Sequence, residues 1–200
     1  MSAAIAVVLG LSVRFVHARV ERFVDSVFFR KRHDDERALA QFAKDAPYVT
    51  DPTILLARAG EALRHHAGVS FARILVETNR AFGELSENDP AIVRLRATQS
   101  VLDLRTIETQ IDGELAYPMA ARGRLVGVLV LGPRVSGESY APDESVAIAQ
   151  VATSLGNSLD AFAKQREVHH EIVEAIRAVL IEMHAAPPQP APMKPQPAEA

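Results

Sequence analysis

Residues 115–160, LAYPMAARGRLVGVLVLGPRVSGESYAPDESVAIAQVATSLGNSLD, decide the fold of this 200-residue chain. Glu114 to Ala120 reads as a strand, a turn falls around Arg122-Gly123, and Leu125 to Leu131 reads as a second strand, so the segment opens with a hairpin. The second strand, LVGVLVL, is almost continuously apolar, which predicts a central strand covered on both faces. Gly132-Pro133 stops it. Pro142-Asp143-Glu144 then opens a helix that carries Val146, Ile148, Val151, Leu155, Leu159 and Phe162, with Tyr140 or Ala141 near its cap.

Working back toward the N-terminus, Asp34 to Ala46 is helical in pattern, with Leu39, Phe42, Ala43 and Ala46 on one face. Thr50-Asp51-Pro52 supplies a cap residue followed by proline at the first helical position, and the helix it opens runs through Ile54, Leu55, Ala59, Ala62 and Leu63 until His66-Ala67-Gly68. Val69 to Thr78 contains a strand, ARILVE. Asn79 to Asp112 is the least regular part, although Asp89-Pro90 repeats the cap-plus-proline signal before a short helix with Ile92, Val93 and Leu95.

Toward the C-terminus the helix opened at Pro142 meets no proline before Ala185, and Gly156 is its one weak point. Steps of three and four along it give Leu155, Ser158, Phe162, Gln165, His169, Ile172, Ile176, Val179 and Met183. The last four form a seam of heptad spacing, which predicts pairing with a second copy, a homodimer, through Ile172, Ile176, Val179 and Met183; the alternative, a single helix docked back on its own domain, needs an apolar groove to receive it. From Pro187 to Ala198 six of twelve residues are proline, so this stretch reads as an extended tail without a core.

At the other end, Ser2 to Val13 is twelve uncharged residues, short of the roughly 20 a membrane-spanning helix needs. It runs into RFVHARVERFVDSVFFRKRH, in which Phe15, Val16, Val20, Phe23, Val24, Val27 and Phe28 fall at helical spacing. Arg14 to His33 holds six basic residues against two acidic ones. That bias suits the cytoplasmic side of a membrane anchor, and the order of charge and apolar run does not suit a secretory signal. Two readings stay open for residues 1–33: a membrane contact, or a helix that packs in a dimer. The expected location is cytoplasmic, at the inner face of the membrane if the anchor reading holds. The resulting domain plan is 1–33 for this N-terminal helix, 34–163 for a compact α+β domain, 164–185 for a coiled-coil helix and 186–200 for the tail.

Composition removes several classes. With no cysteine there is no disulfide framework, thiolate metal site, cysteine nucleophile or thioether-linked chromophore. A balance of 22 basic against 25 acidic residues leaves no footprint for general nucleic-acid binding.

The order of Tyr117-Pro118-Met119, Gly123, Gly127-Val128-Leu129 and Pro142-Asp143-Glu144 resembles the C-terminal half of a GAF domain, and the likeness extends over residues 48–163. The stretch FFRKRHDDERAL is similar to the segment that joins membrane helices to a GAF domain in bacterial membrane-associated signalling proteins. The resemblance implies an α+β fold: a central antiparallel sheet of five to six strands, with the N- and C-terminal helices bundled on one face and the C-terminal helix extended. It also implies a pocket on the other face, roofed by Asn79 to Asp112. Proteins of this family bind small effectors such as cyclic nucleotides, tetrapyrroles, haem or amino acids, or serve as ligand-free dimerisation modules. Covalent bilin attachment is excluded here by the absence of cysteine, as is membership of the cysteine-dependent sulfoxide-reducing subgroup. The cyclic-nucleotide signature is not met either, since Asn79-Arg80 and Phe82 lack Asp-Glu at the required spacing.

For such a pocket, alternation along ELAYPM sets Leu115, Tyr117 and Met119 on one face. Tyr117 and Met119, with Phe82 from the roof, are the pocket candidates, and core packing is the alternative. His65-His66 and His169-His170 are adjacent pairs, about 100° apart around a helix, so neither doublet clamps an ion as histidines at i and i+4 do. His169-His170-Glu171 is similar to the phosphoacceptor helix of histidine kinases, but no ATP-binding segment follows it. No GxSxG elbow or P-loop is present. The expectation is a non-enzymatic sensory or regulatory module, with no metal and an unknown cofactor, that binds a small-molecule effector or a partner and signals through dimeric terminal helices. A ligand-free dimerisation and membrane-localising scaffold is the alternative, and a His169 or His170 phosphotransfer protein is the weakest reading.

Overall fold

The computed structural model describes residues 32–185 except Asn79, Arg80, Glu84 and Glu87, with the side chains of Ala81 and of 179–185 outside the description. The expectations for residues 1–31 and for the proline-rich tail therefore lie outside the described residues. Among the described residues no helix is long and apolar enough to cross a membrane. The chain divides into two units, Met1–Ala161 and Phe162–Ala200.

In the first unit, α1 covers residues 32–45 and passes through a 3-10 turn, Ala46–Tyr48, toward α2, Pro52–His66. Asp51 caps α2 by accepting hydrogen bonds from the Thr53 and Ile54 amides at 2.7 and 3.2 Å, which satisfies two of the donors that a helix start leaves open. Strand β1, Ala72–Thr78, turns back into the two-residue β2, Ala81–Phe82. Helix α3, Pro90–Thr98, is capped by Asp89 and closes with Gln99 in the left-handed region. A two-residue β3, Leu102–Asp103, precedes β4, Leu115–Ala121, and β5, Arg124–Leu131. Helix α4 then runs from Pro142 to Ala185 without interruption.

The five strands pair antiparallel in the order β2-β1-β5-β4-β3, which puts the apolar LVGVLVL strand in the centre. The β4–β5 loop has two residues, Arg122 and Gly123, both at positive φ (51° and 77°), the geometry that matches the right-handed twist of a hairpin. A bulge between Met119 and Ala120 shifts the pairing by one residue, so Leu125 faces the same side as Val128 and Val130.

Each sheet face has its own core. On one, Ala116, Leu125, Val128 and Val130 pack with Phe82, Ala91, Ile92 and Leu95, so α3 and the irregular segment close that side. On the other, α1, α2 and α4 bury Leu39, Leu55, Leu63, Ile148, Val151 and Leu155 over Tyr117, Met119 and Leu129. The Ser154 hydroxyl donates to the Ala43 carbonyl and joins α4 to α1. His66 Nδ1 lies 2.8 Å from Asp35 Oδ1 and joins α2 to α1. Gly156 is where α4 comes down on β4. A Cβ there would stand 2.9 Å from the Ala120 carbonyl oxygen and the Met119 carbonyl carbon, so only glycine permits this approach.

Candidate functional site

Strand β3 pairs only with Leu115 and Ala116, so among the described residues the outer edge of β4 from Tyr117 to Ala121 pairs with no strand. Pro118, which has no N–H to offer a neighbour, sits in this stretch, as prolines in sheets do at edges. Along this edge a cleft of about 460 Å³ opens between β4, the Gln99–Val101 connection and the first turns of α4. Its α4 wall is Ser145, Val146, Ala149 and Thr153, one side of the helix at steps of three to four. Val101 and Val146 expose apolar surface to it.

The polar groups of this cleft are mostly engaged. Tyr117 is fully buried, and its hydroxyl lies 3.0 Å from Ser145 Oγ, a bridge from the sheet to α4. Burial pushes the Tyr117 phenol above its ordinary range, and the hydrogen bond with Ser145 offsets this only in part. Gln99 donates from Nε2 to the Gly123 carbonyl at 2.7 Å and fastens the rim to the hairpin turn. The lining holds neither a histidine nor a carboxylate. Alongside the apolar surface of Val101, Val146 and Ala149 it presents the hydroxyls of Ser145 and Thr153 and the Arg122 side chain.

A second cleft, of about 430 Å³, lies between α1, the end of α2 and the β5–α4 connection, and half of its lining residues are charged. Arg134 Nη1 lies 2.8 Å from the buried Glu144 carboxylate, and the Tyr140 hydroxyl donates to the Gly132 carbonyl at 2.6 Å. Burial raises the Glu144 carboxyl above its usual range, against the pull of Arg134 and the Ala141 amide. Glu144 stands in the first turn of α4 and reaches back to the Ala141 N–H, so the Pro-Asp-Glu helix start is also one wall of this cleft. On the opposite sheet face, Asp89 is buried yet has its carboxyl held below the ordinary range. Burial works against the charge, but hydrogen bonds from the Gln110 amide, the Thr109 hydroxyl and the Ala91 amide outweigh it. Asp89 thereby bolts the start of α3 to the segment before β4.

The structure places the candidate residues as follows. Tyr117 lines the β4–α4 cleft. Met119 is fully buried beneath α4, beside the Gly156 approach. Phe82 is buried on the other sheet face, with the Arg96 guanidinium 5.5 Å from its ring centroid. Phe82 is thus not brought together with Tyr117 and Met119, because alternation along β4 turns their side chains toward α4, away from the sheet face on which Phe82 packs with α3. Ile172 and Ile176 are exposed on α4, as are His169 and His170, and the side chains of Val179 and Met183 lie outside the description. Sequence reasoning missed Ser145 and Gln99. Nothing in a hydroxyl three residues past a helix start, or an amide after a short helix, marks them as neighbours of β4. Among the described residues no group of three or more histidine and acidic side chains is arranged to hold a metal ion.

No protein-family model matches the chain, and no curated protein matches its sequence. Solved structures share its architecture. The GAF domain of a phosphoenolpyruvate-protein phosphotransferase from Coxiella burnetii is 12% identical with a TM-score of 0.53, covering 68% of this chain and 98% of that domain. The free methionine-R-sulfoxide reductase of Neisseria meningitidis, solved in complex with its substrate, is 14% identical with a TM-score of 0.52, covering 68% of this chain and 93% of that enzyme. With the five-stranded antiparallel sheet and the helices bundled on one of its faces, these likenesses establish that the chain adopts a GAF-like fold.

Proposed function

We propose that this protein is a non-enzymatic GAF-type regulatory module that binds a small effector or a partner in the cleft beside β4 and passes the change along α4 in a dimer. The observation that carries this reading is the shared wall: Ser145, Val146, Ala149 and Thr153 line the cleft and belong to the same helix that continues to Ala185. A ligand there contacts α4 directly. It shifts the helix only if it binds one arrangement more tightly than the other. A mostly apolar lining without histidine or carboxylate supports binding over chemistry.

Native and denaturing mass spectrometry of the purified full chain tests this. The expected result is a dimer carrying extra mass that is lost on denaturation, and Ala149→Trp, which fills the cleft, should abolish that mass while the dimer persists. Extra mass that survives Ala149→Trp would move the site elsewhere, to the charged cleft first. A dimer that stays bare after exposure to a metabolite extract would favour a ligand-free scaffold. That second reading is supported by the sheet face opposite the helices, where Phe82, Ile92 and Leu95 pack fully buried against Val128 and Val130.

A further inference from the structure

We infer that the second half of α4 pairs with a second copy of this chain in parallel and in register, and that His169 forms a polar layer at which acid opens the pair. This rests on the dimeric reading above and gives it a register and a control. The steps of three and four from Leu155 to Met183 are an unbroken alternation of the two seam positions of a heptad. Leu155 and Ser158 are buried within the first unit. In the second unit, Val168, Ile172, Val173 and Ile176 are 54%, 52%, 40% and 55% exposed, an aliphatic face that nothing among the described residues covers.

The chain itself supplies the best match for this face. Its two polar seam positions, Gln165 and His169, stand together at one end, and the aliphatic ones follow. Parallel pairing in register sets glutamine on glutamine, histidine on histidine and aliphatic on aliphatic. Antiparallel pairing about the middle of the seam would set His169 against Ile176 and Gln165 against Val179, leaving polar groups buried with no mate.

A neutral imidazole has one donor and one acceptor, so His169 and the partner subunit's His169 can bond across the seam. Two imidazolium groups have donors only, carry like charge and repel. The flanking positions offer no relief. Beside His169 stand Gln165, Arg166, Val168, Ile172 and Val173 from each helix, whereas Glu167, Glu171 and Glu174 occupy heptad positions away from the seam. The pair is therefore stable in the neutral range and weakens as imidazole gains its proton.

Sedimentation equilibrium of the full chain at about pH 8 and about pH 5 brackets the imidazole change, and at the lower pH the dimer should weaken at least about tenfold. His169→Ile should stay tightly dimeric at both pH values, and His170→Ile should keep the acid response. In a chain without cysteine, Gln165→Cys should oxidise to a covalent dimer only if the helices run parallel in register. Acid sensitivity that survives His169→Ile, or a Gln165→Cys chain that stays dimeric yet does not cross-link, overturns this inference and leaves the dimeric reading standing. A wild-type chain that is monomeric at both pH values overturns both.

Discussion

The two halves of α4 are built from similar residues and meet different fates. From Pro142 to Ala161 the helix buries Ala147, Ile148, Val151, Ala152, Leu155 and Leu159. From Phe162 onward an aliphatic set at the same spacing stays open, with Val168, Ile172 and Ile176 each more than half exposed. Local sequence explains why both halves are helical: no proline intervenes, and the residues favour the conformation. It does not explain why one is covered. In the first half that depends on the sheet and on α1, and in the second half nothing among the described residues covers the aliphatic face. A helix is thus a local decision, while burial is a collective one.

Substitutions along this contrast should differ in size. Leu155→Ala empties a fully buried site over the sheet and should cost about 3 kcal/mol, read as a lowered denaturation midpoint with an unchanged slope. A cost under 1 kcal/mol would mean that the first half of α4 is no better packed than the second. Asp89→Ala, on the other sheet face, removes a cap and strands buried donors, for a loss of about 2 kcal/mol. The sign of its pH dependence follows from the lowered carboxyl. The Asp89 contribution is present above the ordinary carboxylate range and is lost as pH falls through the folded-state value. Asp89→Asn should therefore flatten the acid side of the stability curve.

Gly156→Ala sharpens the comparison at a single residue. Helix propensity favours alanine by about 1 kcal/mol, but the added carbon would meet backbone of β4, so we expect a net loss of about 1–2 kcal/mol. A stabilised variant would show that α4 can lift off β4 freely. The smallest effect belongs to the exposed half. Ile172→Ser should change the unfolding free energy of the domain by no more than about 0.5 kcal/mol, while raising the dimer dissociation constant measured by sedimentation.

Much of the fold is legible in the sequence. Asp51-Pro52 and Asp89-Pro90 announced two helix starts because an acidic cap and a proline at the first turn each act on their own few residues. The Arg122-Gly123 turn and the apolar strand after it were legible for the same reason, and so was the central place of β5, since a strand without alternation must be covered twice. Residues 79–112 were opaque because their elements are short: β2 and β3 have two residues each and are held by partners distant in sequence. The candidate site was less legible still. Alternation put Tyr117 and Met119 on one face but could not say which face met the helices, and it could not see that Phe82 lies beyond the sheet from them.

The sequence by itself determined the order and kind of the main elements, the place of the hairpin turn, the unbroken run of α4 and the absence of all thiol chemistry, since each follows from neighbouring residues or from composition. Only the tertiary structure decided where β4 is left without a partner strand, which side chains of α4 look onto that edge, and that Ser145 meets Tyr117 across it. Those are distances between groups far apart in the chain. They are set by how two layers settle on each other around Gly156, and no local pattern encodes them.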